Sequence, residues 1–146
     1  MTERLREICS LIVRLKPNTS NLVLQKLLYF IQAASLVYLN HPAFEENIEA
    51  WQYGPVVPEA YKIFKYNKNY FTKELEKTDE NIELFELIEE IVSNLGEKAP
   101  FDLVDLTHSY FSWIDAWNSP YSSNISNESI LRCHLEIAEQ KDGFIF

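Results

Sequence analysis

Glycine is scarce in this 146-residue chain, with only three, at positions 54, 96 and 143. None belongs to a cluster, so neither a G-x-G-x-x-G turn nor a P-loop can be built, and the usual phosphate-cradling sites are excluded. Cysteine is rarer still: Cys9 and Cys133 form no C-x-x-C unit and read as small buried hydrophobes. With His41, His108 and His134 they complete the set of soft metal ligands. Cys133 and His134 are adjacent, however, and on a helix they point about 100° apart. No metal site and no cofactor are expected. No apolar run approaches the roughly 20 residues of a bilayer span. Met1-Thr2-Glu3-Arg4 leads into no apolar signal segment, so the expected compartment is the cytoplasm, with no membrane partner.

Basic charge is also in deficit. The net charge is −9, and its distribution matters more than its size. Between Glu74 and Asp105 eleven acids face only Lys77 and Lys98, while the rest of the chain balances eleven acids against eleven bases. The whole excess therefore belongs to one region. A duplex-binding protein shows the opposite, a basic stripe that releases counterions from phosphates. Lys62, Lys65, Lys68 and Lys73 cluster at helix spacing and read as a solvated face, so no nucleic acid is expected as a partner.

Apolar residues are plentiful, at 47% of the chain, enough for a packed core in one domain spanning residues 1–146. Leu5, Ile8, Cys9, Ile12 and Leu15 recur at steps of three and four, predicting an amphipathic helix that Pro17 ends. Thr19, Ser20 or Asn21 can cap a second helix, about Asn21 to Leu39, that is apolar nearly all round and so belongs in the core. Gln25, Lys26 and Gln32 make it too polar for a membrane span. Pro58 opens a further helix ending near Asn67. Thr78 is expected to cap another whose first turn holds Asp79 and Glu80, with Ile82, Phe85, Leu87, Ile88, Ile91, Val92 and Leu95 inward and Gly96 as its C′ residue. A short helix over Asp102–His108 and a last one from about Ser126 to before Gly143 follow. The fold class is mainly α, a compact bundle of five to six helices with at most a short strand or hairpin near residues 48–57.

That hairpin region is the most informative part of the chain. In Glu49-Ala50-Trp51-Gln52-Tyr53-Gly54-Pro55-Val56-Val57-Pro58-Glu59-Ala60-Tyr61, Gly54-Pro55 signals a turn in which Gly tolerates φ > 0. Three large rings surround it, and Trp51 reads as a buried plug that anchors a stiff loop. Upstream, Leu24-Gln25-Lys26-Leu27-Leu28-Tyr29-Phe30 resembles the "LQKLLYF" helix of the Panacea (SocA-like, GepA-like) antitoxin domain. Phe44 and Glu49 with the turn resemble that family's "F…IEAW-x-YGPV-x-P-x-x-Y" segment, and Leu106-Thr107-His108 followed by Trp113 resembles its closing "LTH…W" element. Together they cover a motif-bearing core of about residues 20–117. One departure is Ser109-Tyr110-Phe111-Ser112, where members often carry an acid and a Pro.

The resemblance implies an antitoxin of a bacterial or prophage toxin–antitoxin pair, neutralising a cognate protein toxin by direct contact. Some related proteins deliver a toxin to a protease, which would then be a second partner. It further implies structural roles for Gln25, Lys26, Leu27, Tyr29, Phe30, Trp51, Tyr53, Gly54, Pro55, Tyr61, Thr107, His108 and Trp113. Read for chemistry alone, Asp105 stands three residues before His108 and could orient it as a general base, which keeps a hydrolase as the alternative. No G-x-S-x-G elbow supports it, and no catalytic residue is assigned. The better candidate is acidic. Asp79, Glu83, Glu86 and Glu90 fall at steps of four, three and four, a stripe of carboxylates with no base at helix spacing. Each like-charge pair costs about 0.2–0.5 kcal/mol on an isolated helix. The stripe reads either as a solvated face or as a surface for a basic partner.

Overall fold

A computed structural model describes all residues, Met1–Phe146. The elements run α1 (Glu3–Leu15), α2 (Asn21–Ala34), β1 (Ile48–Trp51), β2 (Gly54–Val56), α3 (Pro58–Asn67), α4 (Ile82–Leu95), α5 (Pro100–His108), α6 (Phe111–Asn118), β3 (Asn124–Ile125) and α7 (Asn127–Gln140). The architecture is mainly α with a short hairpin, as expected. Phe111–Asn118 is an additional helix, separated from α5 by Ser109 and Tyr110.

The caps lie where short-range chemistry puts them. Thr2, Ser20 and Ser126 each accept a backbone N–H of the first turn with the side-chain oxygen, opening α1, α2 and α7. The fourth helix differs from expectation. It begins at Ile82, behind Asn81, so Asp79 and Glu80 lie in the preceding turn. Thr78 Oγ1 accepts the Asn81 N–H at 3.3 Å and caps that turn instead. Gly96 is right-handed at φ −65, not a left-handed C′ residue, because the chain turns with the Gly96 N–H still donating to Val92 O.

The second helix is central. Every residue from Val23 to Ala34 is buried, and α2 packs against α3, α4, α5, α7 and β2. A π-helical turn, Ser35–Leu39, extends it until Asn40 takes the left-handed conformation at φ 63. Asn21–Leu39 is thus long and apolar enough to cross a membrane by length and composition, but 78% of its apolar window is buried within the fold. Gln25, Lys26 and Gln32 of α2 are buried too, and each holds a neighbouring segment. Gln32 Oε1 accepts the N–H groups of Ala43 and Phe44 at 2.8 and 3.3 Å, and its Nε2 donates to Phe44 O at 3.0 Å. Gln25 Oε1 accepts the Val57 N–H at 2.9 Å, and Lys26 Nζ donates to Pro55 O at 2.9 Å. Polar groups in a core are tolerated because every such bond replaces one to water.

The sheet is antiparallel in the order β2-β1-β3. Glu49 pairs with Val56 and Trp51 with Gly54, and β3 adds to the far edge through Ile48 and Ile125. Ile48 and Ala50 face inward while Glu49 and Trp51 are half-buried, the alternation of a one-sided sheet. The C-terminal Phe144-Ile145-Phe146 folds back: Ile145 is buried and the Phe146 ring meets Phe30 edge-on at 5.1 Å.

Candidate functional site

Gln25 and Lys26 of the first motif, Gly54 and Pro55 of the second and Thr107 and His108 of the third converge on the turn between β1 and β2. Gly54 has φ +108, as the turn requires, and a Cβ there would lie 2.7 Å from Thr107 Oγ1 and 2.9 Å from Lys26 Cε. Three segments far apart in sequence, α2, the hairpin and α5, therefore meet where only a hydrogen fits. Burial lowers the Lys26 ammonium from the usual lysine range to about 7, since no carboxylate compensates its lost water. Thr107 is buried and its hydroxyl donates to Val104 O at 2.9 Å.

The rings divide differently from the expectation. Trp51 is only half-buried; its indole N–H donates to Glu49 Oε1 at 3.1 Å and its ring meets Tyr61 edge-on at 5.1 Å. The buried plug is Trp113, which donates to the Trp51 carbonyl at 3.0 Å and stacks on Trp117. Trp51 sits on the outward face of a strand at the sheet surface, whereas α6 drives Trp113 beneath that strand. Tyr53 and Phe101 are exposed and meet edge-on at 6.0 Å, and with Trp51, Tyr61, Gln25 and Lys26 they line a cavity of about 510 Å3.

His108 does not form the pair with Asp105 that a general base would need. Its Nε2–H donates to Gln52 O at 2.9 Å, and its ring lies 4.2 Å from that of Trp113. The imidazole fastens α5 to the hairpin, and the exposed Asp105 carboxylate accepts no hydrogen bond within the chain. The hydrolase alternative loses its orienting carboxylate. Tyr29 has a partner that sequence reasoning missed. Ser112 donates to its hydroxyl at 2.7 Å, and that hydroxyl donates to His134 Nε2 at 2.8 Å. His134 Nδ1–H in turn donates to Ile145 O, and burial holds the ring neutral, with its pKa lowered to about 4. The signal was present: His134 falls at helical spacing with Ile130 and Ile137 on an apolar face, where an imidazole needs buried partners.

Of the acidic stripe, Glu83, Glu86 and Glu90 are exposed on α4, and Asp79 is exposed in the turn before it, outside the helical register. Glu86, Glu89, Glu90 and Glu97 line a shallow depression of about 650 Å3 beside Lys16. None of these carboxylates forms an ion pair within the chain. Four carboxylates against the single Lys16 leave the depression with a net negative field. No group of His, Cys, Asp and Glu side chains is arranged to hold a metal ion.

The sequence model of the family described as "Antitoxin SocA-like, Panacea domain" matches residues 24–114, a stretch that runs from Leu24 in α2 through the hairpin, α3, α4 and α5 into the first half of the Trp113-bearing helix. Antitoxin SocA of Caulobacter vibrioides is 32% identical over 103 residues, 62% of this chain. The match spans 55% of that relative's length. No solved structure matches the chain.

Proposed function

The chain belongs to the antitoxin SocA-like, Panacea domain family, and from that membership we propose that it neutralises a protein toxin by direct, non-covalent binding. The observation that carries the reading is the family match over residues 24–114, and in that stretch Gln25, Lys26, His108 and Trp113 use their polar atoms to hold backbone of the hairpin region. Such a domain acts through its surface, without catalysis, cofactor or nucleic acid, and its setting is a bacterial or prophage toxin–antitoxin pair in the cytoplasm. The surface we assign to the toxin is the acidic one, with Glu83, Glu86 and Glu90 on α4 and Asp79 in the turn before it. Uncompensated carboxylates of one sign raise the encounter rate of a basic partner and make it salt-dependent.

The test uses the product of the gene adjacent to this chain's, co-expressed and purified with it. The parent protein is expected to protect cells and to form a complex. Glu83→Lys with Glu86→Lys should stay folded, because both side chains are exposed and the lysine at position 86 meets Glu90 at i,i+4 with opposite sign. Association should slow by about tenfold at low salt and lose most of its salt dependence. Unchanged association kinetics in a folded double variant would reduce the stripe to a solvated face. A parent that neither protects nor binds would remove the antitoxin reading itself.

A further inference from the structure

Beside the acidic stripe lies an apolar groove of about 390 Å3, formed by the end of α2, one edge of α4 and the C-terminal tail. Ala34 and Ile91 are buried at its base and Leu87 flanks them. Two rings stand out of it, Tyr38 at 53% and Phe144 at 57% exposure. Neither ring is on a loose segment. Tyr38 is carried by the π-helical turn, and Phe144 precedes Ile145, which is buried and whose carbonyl accepts the His134 Nδ1–H. An open apolar recess with two exposed rings on a fixed frame is preorganised for an apolar insert.

Charge decides what the insert carries. Glu90 lines both this groove and the adjoining depression that holds Glu86, Glu89 and Glu97. An apolar stripe therefore runs beside an acidic one, and the complement of that pattern is an amphipathic helix with an apolar ridge flanked by Lys or Arg. A second copy of this chain docked through the same face fits poorly, because Glu86, Glu89, Glu90 and Glu97 would meet the same acids with like sign. An anionic lipid surface is repelled for the same reason. We infer that the groove between α2, α4 and the tail seats a basic amphipathic helix of the partner toxin, its apolar ridge between Tyr38 and Phe144 and its cations over Glu86 and Glu90. This rests on the antitoxin reading and adds to it the seat and the chemistry of the bound segment.

The experiment measures binding of the purified adjacent-gene toxin to the full chain at two salt concentrations. Tyr38→Ser with Phe144→Ser removes two rings that are more than half exposed, together with the edge contact of Phe144 to Phe146, and is expected to melt within a few degrees of the parent. It should shorten the lifetime of the complex at least tenfold while leaving the salt dependence of association intact. Asn94→Trp fills the groove from an exposed position on α4 without deleting a contact, and should weaken binding similarly. Folded variants of both kinds that release the toxin as slowly as the parent would overturn the groove while leaving the antitoxin reading standing. A parent chain that does not bind the toxin at all would remove both.

Discussion

Gly54→Ala is the smallest change that tests the junction of the motif segments. The added methyl meets Thr107 Oγ1 at 2.7 Å and Lys26 Cε at 2.9 Å. Neither obstacle is free to retreat: Thr107 Oγ1 is bonded to Val104 O, and Lys26 Nζ to Pro55 O. A non-glycine residue at φ +108 adds backbone strain of about 1–3 kcal/mol, and forced overpacking adds about 1–3 kcal/mol more. A total near 4 kcal/mol lowers the melting temperature by about 8–16 °C for a chain of this size. Thermal unfolding followed by circular dichroism measures it. A double-mutant cycle with Thr107→Ala isolates the steric part, which should appear as a coupling of about 1 kcal/mol or more because the two residues touch. A Gly54→Ala protein that melts within about 2 °C of the parent would refute both the strain and the close approach.

Trp113→Ala should destabilise by about 3–5 kcal/mol through cavity formation and the loss of its bond to the Trp51 carbonyl, whereas Trp51→Ala, removing a half-exposed ring, should cost clearly less; equal melting losses would contradict the burial of the two rings. His108→Gln should leave toxin neutralisation intact, because a Gln side chain can still donate to Gln52 O; a folded variant that binds the toxin but does not neutralise it would restore a chemical role for the imidazole. Stability should depend on pH at both ends. His134 is held near 4 when folded against about 6.5 unfolded, so the unfolded chain takes the proton first and about 3 kcal/mol is lost as pH falls from 6.5 to 4. Lys26 is held near 7 when folded against about 10.4 unfolded, so stability should climb between those values. Near pH 10 the climb is opposed, because the buried Tyr29 and Tyr110 phenols are shifted upward and ionise first in the unfolded chain. Lys26→Met should flatten the rise above pH 7, and an unchanged slope in denaturant titrations would show that Lys26 is not its source.

Much of the fold was legible because its causes act within one turn. The apolar steps of α1 and α4, the oxygens of Ser20 and Ser126 at helix starts, Pro58 at the first position of α3 and the positive φ of Gly54 are all local in origin. The start of α4 was misplaced by three residues because Thr78 offers the same hydroxyl to a turn as to a helix. The acids of the stripe were legible as charge, but the apolar groove beside them was not, since Tyr38, Ile91 and Phe144 become neighbours only when three elements meet.

By itself, then, the sequence determined the helical class, the starts of α2, α3 and α7, the turn and the family motifs, all of which depend on residues within a few positions or on their order. Only the tertiary structure decided that Trp113 and not Trp51 is buried, and that Gln25, Lys26 and Gln32 face inward to hold loops. It alone joined Tyr29 to His134, 105 residues away, and left His108 without a carboxylate. The reason is that periodicity states which side chains prefer to leave water, while burial and hydrogen-bond partnership depend on which surfaces are brought together across the chain.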